Sequence, residues 1–218
     1  MHGLENYMNS NQPKYLVLHC SDVSYKTNPH QLISIDRYHR DERGFPKSSL
    51  GFWVGYHYLI DCDKEYQCRA DTDEGAHCNQ GYDGVKVYQP GTYDNTKIKS
   101  MNFQSIGICW SGDGDIEFPT PIQYGLLQKR IWTLQDKWKI PNENVKYHRY
   151  FAKNKTCAGS LLTDEWLATL LIRPVETPIP PKPIDRTCVA QEAEIKQLKE
   201  RLKWYEIVLN FFFGNRIV

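Results

Sequence analysis

The chain has 218 residues, which is enough for one main domain of ordinary size and a small appendage. Its 27 basic and 26 acidic side chains leave a formal net charge of +1, so no overall field attracts a polyanion and nucleic acid is not an expected partner. Aromatic residues make up 13% of the chain, and a set rich in Tyr and Trp suits a polar or sugar-containing ligand.

Cysteine spacing and the N-terminal sequence restrict the class of protein further. The seven cysteines are odd in number and include no CxxC pair, so their spacing predicts neither a disulfide framework nor a zinc ribbon. Residues 1–14 contain no apolar core followed by a cleavage site, and no stretch approaches the roughly 20 apolar residues of a membrane span. We therefore expect no transmembrane segment and a reducing cytoplasm as the first location.

The first predicted element is a buried strand at residues 15–20. Alternation along a strand places Tyr15, Val17 and His19 on one face, with His19 near the strand end, where functional sites often form. Residues 34–43 then predict a short helix that stops at a glycine.

A second strand is predicted at residues 53–60, on which Tyr56 and Tyr58 face one way and His57 the other. The turn-like residues that follow predict that 65–69 return as a hairpin partner. The next strand, at 105–111, comes only after a long polar stretch at 78–102, which is typical of a functional rim or an insertion.

The clearest predicted helix begins with the capping-box sequence Thr120-Pro121-Ile122-Gln123. Apolar residues follow it at helical spacing, namely Leu127, Ile131, Leu134 and Trp138. A short strand is expected at 145–148, and a last helix is expected to run from a cap at 163–165 to about residue 171.

Five prolines in residues 174–184 predict a stiff extended spacer, so the domains are expected to be 1–173, a linker at 174–185 and a tail at 186–218. The tail has heptad-like spacing over 186–213, which predicts a coiled-coil helix and a possible homo-oligomer. A targeting helix at a membrane surface or a cell wall is the alternative. The apolar seam consists of Ile195, Leu198, Leu202, Tyr205, Leu209 and Phe212.

Three widely separated residues have the chemistry of metal ligands: His19, His148 and Cys157. Two neutral imidazoles and one thiolate form a three-ligand zinc set that leaves the fourth tetrahedral position for water or substrate. A closed structural site would supply four protein ligands. The set therefore favours hydrolysis.

Several short motifs occur together with this ligand set. They are GYHYLID at 55–61, GAH at 75–77, SIGIC at 105–109 and the pair His148 and Cys157 with Lys155 between them. In order and spacing they resemble the zinc-dependent N-acetylmuramoyl-L-alanine amidases of the phage lysozyme type, relatives of the peptidoglycan recognition proteins. The resemblance covers roughly residues 13–170 and implies an α/β fold, a central mixed β-sheet flanked by helices.

The resemblance also implies roles for individual residues. His19, His148 and Cys157 would bind zinc, with Tyr56 and Lys155 beside the metal. Zinc can lower the pKa of bound water from about 15.7 to about 7 and can polarise a carbonyl group. A lysine ammonium would stabilise charge developing on the scissile carbonyl oxygen, and Tyr56 would orient the water or relay its proton.

The implied substrate is peptidoglycan, at the amide that joins the lactyl group of muramic acid to L-alanine. A phage or prophage endolysin, held in the host cytoplasm until lysis or non-classical release, is the simplest biological setting. The competing class is a peptidoglycan-binding module of the same fold that does not cut. Such modules typically lack the cysteine ligand, whereas Cys157 is present here.

Other residues are weaker candidates. No HExxH sequence is present, so no metalloprotease-type glutamate base is expected, and Glu65, Glu74 and Glu117 are unsupported alternatives. We expect His57 and His77 to be packing or groove-wall residues. His30 and His39 are assigned to the surface or to a helix. A second zinc site is conceivable only with irregular ligand spacing, and its ligands would be Cys62, Cys68, Cys78 and His77.

Overall fold

The computed structural model describes residues 11–81, 100–174 and 195–205. A five-stranded sheet with strand order β3-β2-β4-β1-β5 lies at its centre. All neighbouring pairs are parallel except the β2–β3 hairpin. The strands are β1 (Tyr15–Cys20), β2 (Tyr58–Ile60), β3 (Glu65–Gln67), β4 (Ser105–Trp110) and β5 (Val145–Tyr147).

The two central strands are the most apolar, as parallel strands covered on both faces should be. Every residue of β4 is buried, and so is every residue of β1 except Tyr15. In their register His19 lies opposite Cys109, and the carboxyl ends of both strands reach the same edge of the sheet.

Helices cover both faces, which confirms the predicted mixed sheet flanked by helices. The long helix follows the capping box: Thr120 Oγ1 accepts from the Gln123 backbone N–H at 3.2 Å, and Gln123 Oε1 accepts from the Thr120 backbone N–H at 3.0 Å. The α-helices of the first unit, up to residue 173, are α1 (Leu32–Asp41), α2 (Pro121–Trp138), α3 (His148–Phe151) and α4 (Asp164–Leu171).

The main hydrophobic core lies between the sheet and helices α2 and α4. Leu127, Ile131 and Leu134 of α2 are at most 1% exposed, as their helical spacing predicts. Fully burying an aliphatic side chain of this size contributes about 1.5–3 kcal/mol. The opposite face packs against α1 and α3, through Leu59 and Val17 respectively.

The prediction of one strand over 53–60 is wrong for residues 53–57. Asp36 Oδ1 of α1 accepts from the backbone N–H groups of Trp53 at 2.6 Å and Val54 at 3.2 Å, and His39 Nδ1 accepts from Gly55 N–H at 3.1 Å. Because these donors bind side chains of α1, this stretch does not join the sheet. The strand begins only at Tyr58.

This local structure also changes which side chains share a face. Tyr58 packs in the core beside α2, whereas Tyr56 packs with Val54, Leu59 and Cys109 on the other face. The prediction that Tyr56 and Tyr58 face the same way is therefore wrong.

The second unit of the chain is Pro174–Val218. Residues 195–205 form a helix in which every side chain is exposed. The remainder of the predicted tail helix, the proline spacer after residue 174 and most of the 78–102 stretch lie outside the described residues, and the coiled coil stays a prediction. Within the described part of the chain, no helix is both long and apolar enough to cross a lipid bilayer.

Candidate metal centre

Two neighbouring parallel strands bring the histidines together. His19 is the fifth residue of β1, and His148 directly follows β5, which pairs with β1. Both imidazoles are buried, at 1% and 6% exposure, and their ring centroids are 4.5 Å apart. Cys157 arrives from the loop after α3, with its Sγ 3.6 Å from His19 Nδ1.

The donor set fits a tetrahedral zinc ion. One donor atom from each of His19, His148 and Cys157 lies within 4.8 Å of the others. Zinc bonds of about 2.0–2.1 Å to nitrogen and about 2.3 Å to sulfur place tetrahedral donors roughly 3.3–3.6 Å apart. The distance between His19 Nδ1 and Cys157 Sγ, 3.6 Å, lies within this range.

Arg149 holds the loop that carries Cys157. Its backbone N–H donates to the carbonyl of Cys157 at 2.6 Å, and its guanidinium donates to the carbonyls of Gly159 at 2.7 Å and Thr156 at 3.3 Å, and also to that of Leu162. A guanidinium presents several donors in a rigid fork, so one side chain can fix several carbonyls. Because Arg149 adjoins His148, its hydrogen bonds connect two of the three candidate ligands, His148 and Cys157.

A second loop supports the cysteine loop from the other side. Asp115 accepts from the Ser160 backbone N–H at 2.6 Å and from Thr156 Oγ1 at 2.8 Å, and these bonds lower the pKa of its carboxyl group. Gly114 lies so close that a Cβ there would be 2.1 Å from the carbonyl oxygen of Ala158. The position of Cys157 therefore depends on backbone packing as well as on hydrogen bonds.

The electrostatic environment keeps both candidate ligand histidines neutral at pH 7. Burial, followed by the charge of Lys155, lowers the pKa of His148 to about 4. Burial and the neighbouring His148 lower the pKa of His19 well below 6.5. A neutral imidazole has the free lone pair that a metal ion requires.

The thiol of Cys157 is protonated unless a cation stabilises its thiolate. Its hydrogen bond with Cys20, and then burial, raise its pKa well above the usual value. Metal binding at this site would therefore release a proton from Cys157, as it does wherever a thiol becomes a thiolate ligand.

Tyr56 lies beside His19, with 5.0 Å between the two ring centroids. Burial raises the pKa of its phenol well above 10, so the hydroxyl keeps its proton at neutral pH. His39 packs against the Tyr56 ring, at 5.5 Å between centroids, and holds the backbone of the preceding Gly55.

Lys155 is exposed on the loop between α3 and Cys157. Its charge acts on both histidines, since it contributes to lowering the pKa of His19 and of His148. The structure thus brings all five predicted site residues to one end of the sheet.

Two of the alternative acidic residues have identified structural partners. Glu65 pairs with Arg130, and Glu117 accepts from the backbone N–H groups of Tyr25 at 2.9 Å and Asp113 at 3.1 Å. Among the described residues, the cysteines considered for a second zinc site do not form a ligand cluster with His77.

Two histidines near the site have contacts that sequence reasoning missed. His39 lies on α1, in line with its assignment to the surface or to a helix, but it is only 7% exposed. His77 Nδ1 lies 3.0 Å from His19 Nε2, which places it in direct contact with a predicted ligand. The GAH motif marked the position of His77 but did not indicate which atom it would contact.

Comparison with solved structures supports the fold assignment. N-acetylmuramoyl-L-alanine amidase LysC from Clostridium intestinale URNW matches with a TM-score of 0.54 at 24% identity, over 76% of this chain and 89% of that chain. The endolysin amidase LysCS of the same organism matches with a TM-score of 0.53 at 24% identity, over 76% and 88%. Drosophila PGRP-LB matches with a TM-score of 0.51 at 22% identity, over 75% and 82%. These likenesses show that the chain shares its fold with both groups.

Sequence comparison identifies the family. No curated protein sequence matches the chain significantly. The sequence profile of the N-acetylmuramoyl-L-alanine amidases, however, matches residues 9–160, which is more than half of the chain. The chain therefore belongs to the N-acetylmuramoyl-L-alanine amidase family.

Proposed function

We propose that this chain is a zinc-dependent amidase that hydrolyses the bond between N-acetylmuramic acid and L-alanine in peptidoglycan. The observation that carries the proposal is the cluster of His19, His148 and Cys157, three donors within 4.8 Å of one another and three ligands rather than four. A set of this kind is typical of catalytic zinc, because one coordination position stays open.

The site residues would have separate roles in the reaction. His19, His148 and Cys157 hold the ion, and zinc, when bound, would act as a Lewis acid and lower the pKa of a water molecule. Lys155 is exposed at the rim, where its ammonium can approach the carbonyl oxygen of a bound amide and stabilise the negative charge that develops there.

Tyr56 would act as a hydrogen-bonding group. Its phenol keeps its proton at neutral pH because burial raises its pKa well above 10. A protonated phenol can orient a water molecule or the substrate, but it cannot serve as a base. The contacts of His39 with Gly55 and Tyr56 would keep that hydroxyl in place.

An endolysin is the setting we propose, and the likeness to LysCS, described as an endolysin amidase, supports it. The second candidate is a binding module that recognises peptidoglycan without cutting it. Its support is the likeness in fold to peptidoglycan recognition proteins such as Drosophila PGRP-LB. The presence of Cys157 as a third metal ligand favours the enzyme.

The test measures zinc content and the release of amino groups from purified peptidoglycan, for the wild-type chain and for Cys157→Ala. We expect one zinc per wild-type chain, with zinc and amine release both lost in the variant. Cys62→Ala is the matched control, because Cys62 lies in the β2–β3 turn at the far edge of the sheet. Amine release by Cys157→Ala after treatment with a chelator would contradict the proposal.

A further inference from the structure

The imidazole ring of His77 contacts a predicted metal ligand. Its Nδ1 is 3.0 Å from Nε2 of His19, while the other ring nitrogen of His19, Nδ1, is 3.6 Å from Cys157 Sγ. The two nitrogens of His19 therefore face different partners, one toward the ligand cluster and the other toward His77.

A metal bound to Nδ1 of His19 would decide which nitrogen of each ring carries the hydrogen. If Nδ1 of His19 offers its lone pair to a metal, the neutral ring carries its proton on Nε2, and Nε2–H donates to Nδ1 of His77. His77 then acts as the acceptor and carries its own proton on Nε2. A hydrogen bond of this kind fixes both the tautomer and the orientation of a ligating histidine.

The surrounding backbone forms a slot for the His77 ring. A Cβ at Gly107 would lie 2.7 Å from the ring atoms Cγ and Cδ2, and a Cβ at Gly75 would lie 2.5 Å from Cδ2. Asn102 Oδ1 accepts from the backbone N–H groups of His77 at 2.9 Å and Cys78 at 2.8 Å. The two glycines, from the GAH and SIGIC motifs, thus leave room for this ring in one position.

His57 contacts both Gly107 and the His77 ring. Its Nδ1 accepts from the Gly107 backbone N–H at 3.1 Å, and its ring centroid is 5.6 Å from that of His77. The imidazole of His77 is consequently enclosed by groups whose own positions are fixed by hydrogen bonds.

We propose that His77 is a positioning residue for the metal centre, accepting a hydrogen bond from His19 Nε2 and so directing the Nδ1 lone pair of His19 toward Cys157 and His148. The inference rests on the proposed function, because it concerns the metal set of that function. His77 does not itself touch the ion.

Zinc affinity, measured by competition with a chelator, tests the proposal on the full-length chain. His77→Leu removes the acceptor and should weaken binding about 10- to 100-fold, the usual effect of losing such a partner. His77→Asn should recover most of the affinity, since its Oδ1 is three bonds from Cα, as Nδ1 of histidine is. His30→Leu, at an exposed histidine, is the control.

A pair of glycine variants provides a second test that keeps His77. Gly107→Ala should weaken zinc binding by displacing the His77 ring, whereas Gly125→Ala on α2 should leave it unchanged, because a Cβ at Gly125 meets nothing within 4 Å. Circular dichroism of each metal-free variant separates a local effect from loss of the fold.

Nitrogen-15 NMR of the zinc-loaded wild-type chain tests the tautomer of His19 without any substitution. We expect His19 to carry its proton on Nε2 and to be metal-bound through Nδ1. Binding through Nε2, or wild-type affinity in a folded His77→Leu, would overturn the positioning role while leaving the proposed function intact. A wild-type chain that binds no zinc would overturn both.

Discussion

Lys155 is an exposed lysine whose charge reaches His19 and His148, and we expect its effect to fall on the reaction and not on metal affinity. Losing one group that stabilises a developing oxyanion typically lowers the rate by about 10²–10³. We therefore predict that Lys155→Ala keeps its zinc and its fold while kcat for peptidoglycan falls by about that factor.

Lys153→Ala is the matched control, because Lys153 is exposed on the same loop and its Nζ lies over the Tyr150 ring, 4.6 Å from the centroid. Lys153→Ala should keep wild-type kcat. Equal kcat in both variants would assign Lys155 to the surface.

Buried neutral histidines make the folded state sensitive to acid. Burial lowers the pKa of His39 and of His57 to about 4, against 6.5 for an exposed imidazole. Between these values the unfolded chain binds more protons, so stability is fully present above pH 6.5 and is lost as the pH falls toward 4. Each such histidine contributes a slope of about 1.4 kcal/mol per pH unit.

His39→Asn tests this prediction, because the asparagine oxygen can accept from Gly55 N–H without titrating. Denaturant unfolding of the metal-free chain should give a free energy of unfolding that depends less steeply on pH in the variant than in the wild type. Identical slopes between pH 4 and 6.5 would show that His39 is already protonated in the folded state.

The sequence predicted the positions of some site residues but not the burial of others. The family motifs predicted the positions of His19, His148, Cys157, Tyr56 and Lys155, which the fold brings together. The burial of His39 was not predictable from hydrophobicity, because the inner face of α1 carries polar groups, His39 and Asp36, that accept backbone N–H bonds. A pattern of apolar residues does not reveal such a face.

The Cys157 loop is an element without secondary structure, and Arg149 holds it through hydrogen bonds to several carbonyls. Arg149→Lys keeps the charge but replaces the rigid fork with a single ammonium, which cannot span those carbonyls. We predict that zinc affinity falls more than the global free energy of unfolding does. Chelator competition and denaturant unfolding on the same samples check this.

Arg173→Lys is the control for that substitution, since Arg173 forms an ion pair with Asp136 in which both side chains are largely exposed. Exposed pairs of this kind contribute about 0–1 kcal/mol. Should Arg149→Lys bind zinc as tightly as Arg173→Lys does, the loop would need no guanidinium to hold Cys157.

At the scale of elements, local signals predicted helices better than they predicted strand limits. The capping box and apolar spacing of α2 agree with its observed start at Pro121 and its buried face. The strand predicted at 53–60 begins late, because α1 supplies acceptors to the backbone of residues 53–55. That interaction joins distant parts of the chain, so no local pattern could show it.

At the scale of the whole molecule, the second unit of the chain carries an apolar seam. Within the described helix, residues 195–205, four apolar side chains at 3 and 4 spacing are 50–65% exposed, which is costly for a lone helix in water. They are Ile195, Leu198, Leu202 and Tyr205. We predict that this seam pairs with copies of itself in a small parallel oligomer.

Light scattering on the full-length chain and on a chain ending at Asp185 checks the prediction. The full-length protein should be an oligomer and the shorter one a monomer. Monomers in both cases would leave a targeting helix for membrane or wall as the better explanation.

For the whole molecule, we propose hydrolysis of the amide between muramic acid and L-alanine in peptidoglycan. Mass spectrometry of the soluble products released from purified peptidoglycan tests it most directly. We predict stem peptides with a free L-alanine amino terminus, together with glycans that carry one free lactyl carboxylate for each amino terminus released. A chain that binds the wall but releases neither product would contradict the amidase and identify a binding module of the same fold.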